Sequence, residues 1–187
     1  MFIKGFWGIK ILHPGRLGGL CLVLLLFGFS GCGENKGKTS WPKSGDKALD
    51  FVAQDLKGQT WTLDRVKGKV ILLRFWTDQC PYCRYEMPVI EKYYRRLRPA
   101  GFEVLAVNVK QSPQVAEAFM AQMDITFPVL LDPSGKMAEH YKVYAVPTNF
   151  LIDRKGVLQN KLIGEAFQEE NNLIKFLRNQ FPDQMLQ

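Results

Sequence analysis

Cysteine and histidine are scarce in this sequence of 187 residues, which contains four of the first and two of the second. A structural zinc ion requires four ligands, usually drawn from these two residue types. Beyond residue 32 the chain offers only Cys80, Cys83 and His140. Cys80 and Cys83 also stand too close together to close a long stabilising loop. The sequence therefore predicts no metal site and no disulfide framework. No organic cofactor is expected either, because exchange between the two cysteines needs none.

Runs of basic residues interleaved with aromatics are also lacking, although the net charge is +7. Three of the positive charges belong to Lys4, Lys10 and Arg16, within a stretch of 31 residues that contains no acid. The rest of the chain is mildly basic, which suits an anionic membrane surface or acidic partners. No nucleic-acid partner is predicted.

Residues 1–31 have the organisation of a lipoprotein signal peptide. A positive region precedes the apolar run 17–29, which is shorter than the roughly 20 residues of a membrane-spanning helix. The stretch FSGC at 29–32 resembles a bacterial lipobox, and this resemblance implies cleavage before Cys32 and lipidation of its thiol. The alternative is an uncleaved N-terminal anchor. Both interpretations place the protein outside the cytoplasmic membrane and attached to it, on the periplasmic side if the cell is Gram-negative.

The remaining pattern predicts one α/β domain. Residues 32–47 are polar and rich in glycine, lysine and serine, as in a flexible tether. We predict a domain at 48–182 and a C-terminal tail at 183–187. The predicted strands are 51–53, 60–63, 70–76, 102–109, 127–131, 149–153 and 157–163, and the predicted helices are 81–98, 112–123, 136–141 and 168–180. This order predicts a central mixed β-sheet flanked by helices, with an N-terminal β-hairpin and a helix–strand insertion.

Cys80 and Cys83 stand where a predicted buried strand meets a predicted helix. Pro81 suits the first helical position, which needs no amide hydrogen. Positive partial charge and unbonded N–H groups at a helix N-terminus lower the pKa of a thiol from about 8.5 to roughly 3.5–7.5. Cys80 is nearest to that end and is the predicted nucleophile, and Cys83 is the predicted resolving thiol. The pair is expected to form a redox-active disulfide.

Two motifs, each of which overlaps a predicted strand, carry a family resemblance. Residues 75–88 read FWTDQCPYCRYEMP and residues 145–153 read AVPTNFLID. They resemble the patterns FW-x-x-W-C-x-x-C-R-x-E-x-P and VPT-x-FLID of the TlpA/ResA family, and residues 63–73 are similar too. These proteins are membrane-tethered thiol–disulfide oxidoreductases of the AhpC/TSA-Redoxin superfamily. The resemblance extends over about 48–181 and implies a thioredoxin-like fold.

The resemblance also implies roles for individual residues. Pro147 is expected to be a cis-proline that faces the disulfide and exposes backbone groups of Val146 to an extended partner peptide. Glu86 is expected to be an acid near the site that opposes thiolate formation at Cys83 and exchanges its proton. The alternative for Glu86 is a solvated helix residue. A substrate-binding surface is expected from Trp76, Gln79, Pro81, Tyr82 and Val146, although Trp76 could instead pack beneath the disulfide.

Two positions depart from the family pattern. Gln79 replaces the tryptophan that usually precedes the first cysteine, which opens and polarises the surface there. Arg74 occupies the place where thioredoxins carry a buried aspartate. If Arg74 points inward, its charge would favour thiolates and make the disulfide more oxidising. The alternative is that Arg74 extends to solvent.

The resemblance implies reduction of disulfides in exported proteins, including apocytochrome c during cytochrome c maturation. A membrane thiol-relay reductant of the CcdA/DsbD type would supply the electrons. A first alternative is a peroxiredoxin-like thiol peroxidase, because Thr77 precedes Cys80 by three residues, although Leu73 stands where that pattern has proline. A second alternative is a non-catalytic copper-handling chaperone, which would depend on His140.

Overall fold

The computed structural model describes residues 42–165 and 172–185. The helices and strands follow the predicted order, and β3 and β4 have the predicted bounds. The strands are β1 (Val52–Gln54), β2 (Thr60–Thr62), β3 (Val70–Trp76), β4 (Phe102–Val109), β5 (Val129–Asp132), β6 (Thr148–Ile152) and β7 (Leu158–Ile163), and the α-helices are α1 (Pro81–Leu97), α2 (Pro113–Gln122), α3 (Lys136–His140), α4 (Asn172–Gln180) and α5 (Pro182–Met185).

Five strands form the central sheet in the order β5-β4-β3-β6-β7. The neighbours β3, β4 and β5 run parallel, whereas β6 is antiparallel to β3 and β7 is antiparallel to β6. The β1–β2 hairpin forms a separate two-stranded sheet that meets β5 through a bridge between Asp55 and Leu130. The α/β fold with a mixed sheet and an N-terminal hairpin is therefore confirmed.

The sheet buries two different faces. Side chains of α1, α2 and α4 pack on one face, here called the α1 face, together with Val70, Leu72 and Trp76 of β3. Side chains of α3 and the hairpin pack on the other, the α3 face, together with Leu73 and Phe75. Successive strand residues point to opposite faces, which places Arg74 on the α1 face.

The folded domain begins earlier than predicted. The Gly45 N–H donates to the Leu158 carbonyl, and the Leu158 N–H donates to the Asp46 carbonyl, both at 2.8 Å. Residues 42–47 of the predicted tether therefore belong to the domain. At the other end, α5 occupies part of the predicted tail.

The signal peptide and Cys32 lie outside the described residues, as do residues 168–171 of the predicted terminal helix. Among the helices that the model describes, none is long and apolar enough to cross a bilayer.

Candidate active site

The two cysteines form a disulfide at the N-terminus of α1. Their Cα atoms are 5.2 Å apart. Cys80 is the N-cap residue in extended conformation, and Pro81 occupies the first helical position as predicted. The Cys83 N–H donates to the Cys80 sulfur at 3.1 Å. An orphan amide of the helix end therefore already points at the sulfur that would carry the negative charge of a thiolate.

The two sulfur-bearing residues differ in exposure. Cys80 retains 6% of its surface, whereas Cys83 retains none. Gln79 and Pro81 beside Cys80 are exposed, and Tyr82 is half exposed at 50%. An incoming reactant can reach Cys80 but not Cys83, which fits Cys80 as the attacking residue.

The Val146–Pro147 peptide bond is cis, as the family resemblance implies. Thr148 pairs with Phe75 in the β3–β6 register, so Pro147 lies beside the end of β3 from which the Cys80 loop departs. The carbonyls of Ala145 and Pro147 accept bonds from the Thr148 hydroxyl and the Gly164 N–H. Across residues 42–165, no hydrogen bond involves the backbone of Val146. Pairing of Val146 with a partner peptide stays a prediction.

Trp76 does not belong to the substrate surface. Its side chain has no exposure, and its ring lies 4.8 Å from that of Phe119. It packs in the same apolar cluster as Cys80 and Cys83. The prediction that Trp76 contacts substrate is wrong, because the end of β3 is covered by α1 and α2, and the alternative of packing is correct.

Arg74 and Glu86 form an ion pair within the protein. A guanidinium nitrogen of Arg74 is 2.8 Å from a carboxylate oxygen of Glu86, and neither side chain is exposed. A second guanidinium nitrogen donates to Asn149 Oδ1 at 2.8 Å. Burial lowers the pKa of Arg74, and the Glu86 carboxylate opposes that shift.

This pair rules out both surface alternatives. Arg74 does not extend to solvent, and Glu86 is not a solvated helix residue. The inward orientation considered for Arg74 is therefore correct, and α1 turns Glu86 towards β3, which brings the opposite charge to the guanidinium. Asn149, for whose role the sequence carries no local signal, is the polar residue that β6 places directly opposite Arg74.

A second polar network holds the loop before Cys80. The Asp78 N–H donates to Gln111 Oε1 at 3.0 Å, and the Gln111 amide donates back to the Asp78 carboxylate. Asn108 Nδ2 also donates to Gln111 Oε1 at 2.8 Å. The sequence contains no local signal for this network, since its partners are brought together by the parallel pairing of β3 and β4.

His140 is not brought to the cysteines. It ends α3, on the α3 face, whereas Cys80 and Cys83 begin the helix that covers the α1 face. Within residues 42–165 and 172–185, no three His, Cys, Asp or Glu side chains are grouped so as to hold a metal ion.

The family model for the AhpC/TSA family matches residues 44–161. Thiol-disulfide oxidoreductase ResA of Bacillus cereus is 36% identical over 126 residues, which cover 67% of this chain and 73% of that protein. This match spans most of the domain on which the predicted motifs lie.

Two crystal structures are similar in fold and sequence. One, from Chlorobium tepidum and assigned as thiol:disulfide interchange protein DsbE, is 32% identical with a TM-score of 0.70, covering 75% of this chain and 99% of that chain. StoA from Bacillus subtilis is 30% identical with a TM-score of 0.55, covering 64% of this chain and 90% of that chain. Thioredoxin-like disulfide oxidoreductases therefore share this architecture.

Proposed function

The chain belongs to the AhpC/TSA family and is a thiol–disulfide oxidoreductase of the TlpA/ResA type, and we propose that it reduces disulfides of exported proteins from a membrane anchor. The observation that carries this proposal is the Cys80–Cys83 disulfide at the N-terminus of α1, in which Cys80 keeps a small accessible surface and Cys83 keeps none.

The exchange begins from the reduced protein. The Cys80 thiolate attacks one sulfur of the partner disulfide, whose S–S bond breaks, and the departing partner sulfur takes up a proton. Cys83 then loses its proton and attacks Cys80 in the mixed disulfide, which releases the second partner thiol. Two electrons pass to the partner, and the protein is left with the Cys80–Cys83 disulfide.

The helix end assists the first step. The Cys83 N–H that already points at Cys80 supports a thiolate there, while the enclosed position of Cys83 prevents it from reacting first. Exposed Gln79, Pro81 and Tyr82 are the groups that a partner would meet on approach. The backbone of Val146 would hold an extended partner segment as an added strand.

The setting of this reaction follows from the N-terminal sequence. We propose cleavage before Cys32, lipidation of Cys32, and an extracytoplasmic position at the membrane. A membrane thiol-relay protein of the CcdA/DsbD type would return two electrons to the disulfide. Apocytochrome c is the proposed partner class among exported proteins, because its haem-binding cysteines must be reduced before attachment.

Two variants test the exchange mechanism. Cys80→Ser removes the attacking sulfur, so reduction of insulin by dithiothreitol-recycled protein should fall to the uncatalysed rate. Cys83→Ala lacks the thiol that resolves the mixed disulfide, so it should accumulate mixed disulfides that can be isolated from cells and identified. Retained activity in Cys80→Ser would overturn the mechanism. Peroxide consumption by the reduced protein far above that of a free thiol would favour the peroxidase alternative.

Lipid attachment is tested separately. Cells fed a labelled fatty acid should incorporate label into the natural protein but not into Cys32→Ser, and only the natural protein should sediment with membranes. Label in Cys32→Ser would contradict the proposed anchor without affecting the exchange mechanism.

A further inference from the structure

A buried ion pair joins the three elements that build the redox site. Arg74 projects from β3, two residues before Trp76, and Glu86 projects from α1, one helical turn after Cys83. Asn149 projects from β6, two residues after Pro147. Distances of 2.8 Å connect the guanidinium of Arg74 to both of the other side chains.

Full burial makes each charge dependent on the other. An ion without exposure is unfavourable unless an opposite charge is close and well oriented. Protonation of Glu86 would leave the Arg74 guanidinium uncompensated, and loss of Arg74 would do the same to the carboxylate. A change in the protonation state of either residue is therefore unfavourable, because it leaves the other residue as a buried charge without a counter-charge.

We propose that Arg74 is a positioning residue that keeps Glu86 ionised, so that the pair presents no net charge to the cysteines and Glu86 carries no proton for Cys83. This inference rests on the proposed function, because it concerns how the same disulfide is tuned. It replaces the proton-exchanging role that family resemblance implies for Glu86.

The groups around the ion pair come from three strands and a helix. The Arg74 guanidinium of β3 contacts the Glu86 carboxylate. The helix that carries Glu86 also carries Cys83, one turn earlier. From β6 comes the uncharged amide of Asn149, and Ala106 of β4 stands beside Arg74 in register. Glu86 therefore meets the charge of the Arg74 guanidinium, and it lies one helical turn after Cys83, whose thiol titrates once the disulfide is reduced.

The test is equilibrium with glutathione, using the full chain. Two glutathione thiols supply two electrons and two protons, break the Cys80–Cys83 bond and form glutathione disulfide. Glu86→Gln leaves a buried cation that stabilises the Cys80 thiolate, so the equilibrium constant for reduction should rise roughly tenfold at neutral pH.

Arg74→Leu should act in the opposite direction. It leaves a carboxylate that repels a thiolate, so the equilibrium constant should fall roughly tenfold at alkaline pH. At acid pH the carboxylate takes up a proton and the constant should return towards that of the natural protein. The double variant Arg74→Leu/Glu86→Gln removes both charges and should resemble the natural protein at all pH values.

Shifts of opposite sign that cancel in the double variant would support the proposal, since loss of packing alone produces no such cancellation. Shifts of the same sign, or none, would overturn it. Arg74→Lys keeps the charge and should rescue the equilibrium constant. Lys69→Met is the matched control, because it removes the Lys69–Glu103 ion pair at the other end of β3 and should leave the constant unchanged.

A measurement on the natural protein covers the case in which single variants fail to fold. The carbon-13 shift of the Glu86 carboxyl group should stay constant from about pH 5 to about pH 9 in the disulfide form of the protein, in which the cysteines do not titrate. An inflection in that range would show a proton carrier and overturn the proposal. If the natural protein also fails to reduce insulin when recycled by dithiothreitol, the proposed function fails instead.

Discussion

The two faces of the central sheet are built differently although one strand supplies both. On the α3 face, Phe75 packs against Tyr141 and Phe150, with ring centroids 5.5 and 5.9 Å away. On the α1 face, Arg74 forms an ion pair with Glu86, and Trp76 packs in the apolar cluster that contains Cys80 and Cys83. The alternation of this strand therefore separates a core of aromatic contacts around Phe75 from a face that carries the cysteines and a buried ion pair.

This separation predicts that stability and redox behaviour can be changed independently. Substitutions on the α3 face should lower the free energy of unfolding and leave the disulfide equilibrium intact. Substitutions near the cysteines on the α1 face should alter the exchange reaction.

The largest effect is expected from Phe150→Ala on the α3 face. Phe150 is fully buried, and its ring also lies 5.1 Å from that of Tyr141. Removing a buried phenylalanine side chain should lower the free energy of unfolding by about 3–5 kcal/mol, measured by urea denaturation. The glutathione equilibrium constant should not change.

Ile163→Ala is the matched control for Phe150→Ala. Ile163 is 59% exposed in the neighbouring strand β7, so its truncation should change stability by less than about 0.5 kcal/mol. A shift of the redox equilibrium in Phe150→Ala would show instead that the two faces are coupled.

Asp55→Ala tests how the hairpin completes the α3 face. The buried Asp55 carboxylate accepts bonds from the N–H groups of Lys57 and Gln59 at 2.8 Å and from the Trp61 indole at 2.9 Å. The variant leaves the buried indole N–H without its partner, so the free energy of unfolding should fall by about 2–3 kcal/mol. Unchanged stability in urea would mean that the hairpin contributes little to the core.

Local signals explain which parts of this molecule the sequence predicts. A run of apolar residues defines β3, and the Cys-Pro-Tyr-Cys stretch defines the start of α1, because both depend on neighbouring residues. The contact between Arg74 and Asn149 joins positions 75 residues apart. Side-chain pairing over that separation depends on strand register and helix orientation, which composition and periodicity do not encode.

The sequence pattern does not indicate the early start of the domain, for a related reason. Residues 42–47 are polar, so they carry no hydrophobic pattern, but their backbone pairs with β7. Similarly, Glu86 follows Cys83 by three residues, which predicts its helix face but not whether that face meets solvent or an arginine. Burial of a charge is decided by what the opposite strand provides.

Gln111→Ala tests the loop that carries Cys80 on the reactive side. Gln111 bonds to both the backbone and the carboxylate of Asp78, two residues before Cys80. Its loss should cost about 1 kcal/mol of stability and slow attack on a small disulfide by a few-fold, because Cys80 is held less firmly. Measuring stopped-flow exchange beside urea unfolding separates the two effects. A loss of stability with unchanged rate would assign the network to folding alone.

The smallest effect is expected from two tyrosines, one on each face, at alkaline pH. Burial raises the pKa of Tyr94 to about 12, with the Glu103 carboxylate adding to the shift, and burial also raises the pKa of Tyr141. In the unfolded chain both lose their protons near pH 10. Above that pH the unfolded state binds fewer protons than the folded state, so stability should fall as pH rises from about 10 towards 12. Tyr94→Phe should flatten this decline measurably in urea titrations, and Tyr141→Phe should flatten it more, because the pKa of Tyr141 is raised further. Equal flattening in the two variants would show that the two faces do not differ in how strongly they exclude charge, and an unchanged slope in both would show that neither tyrosine contributes to the decline.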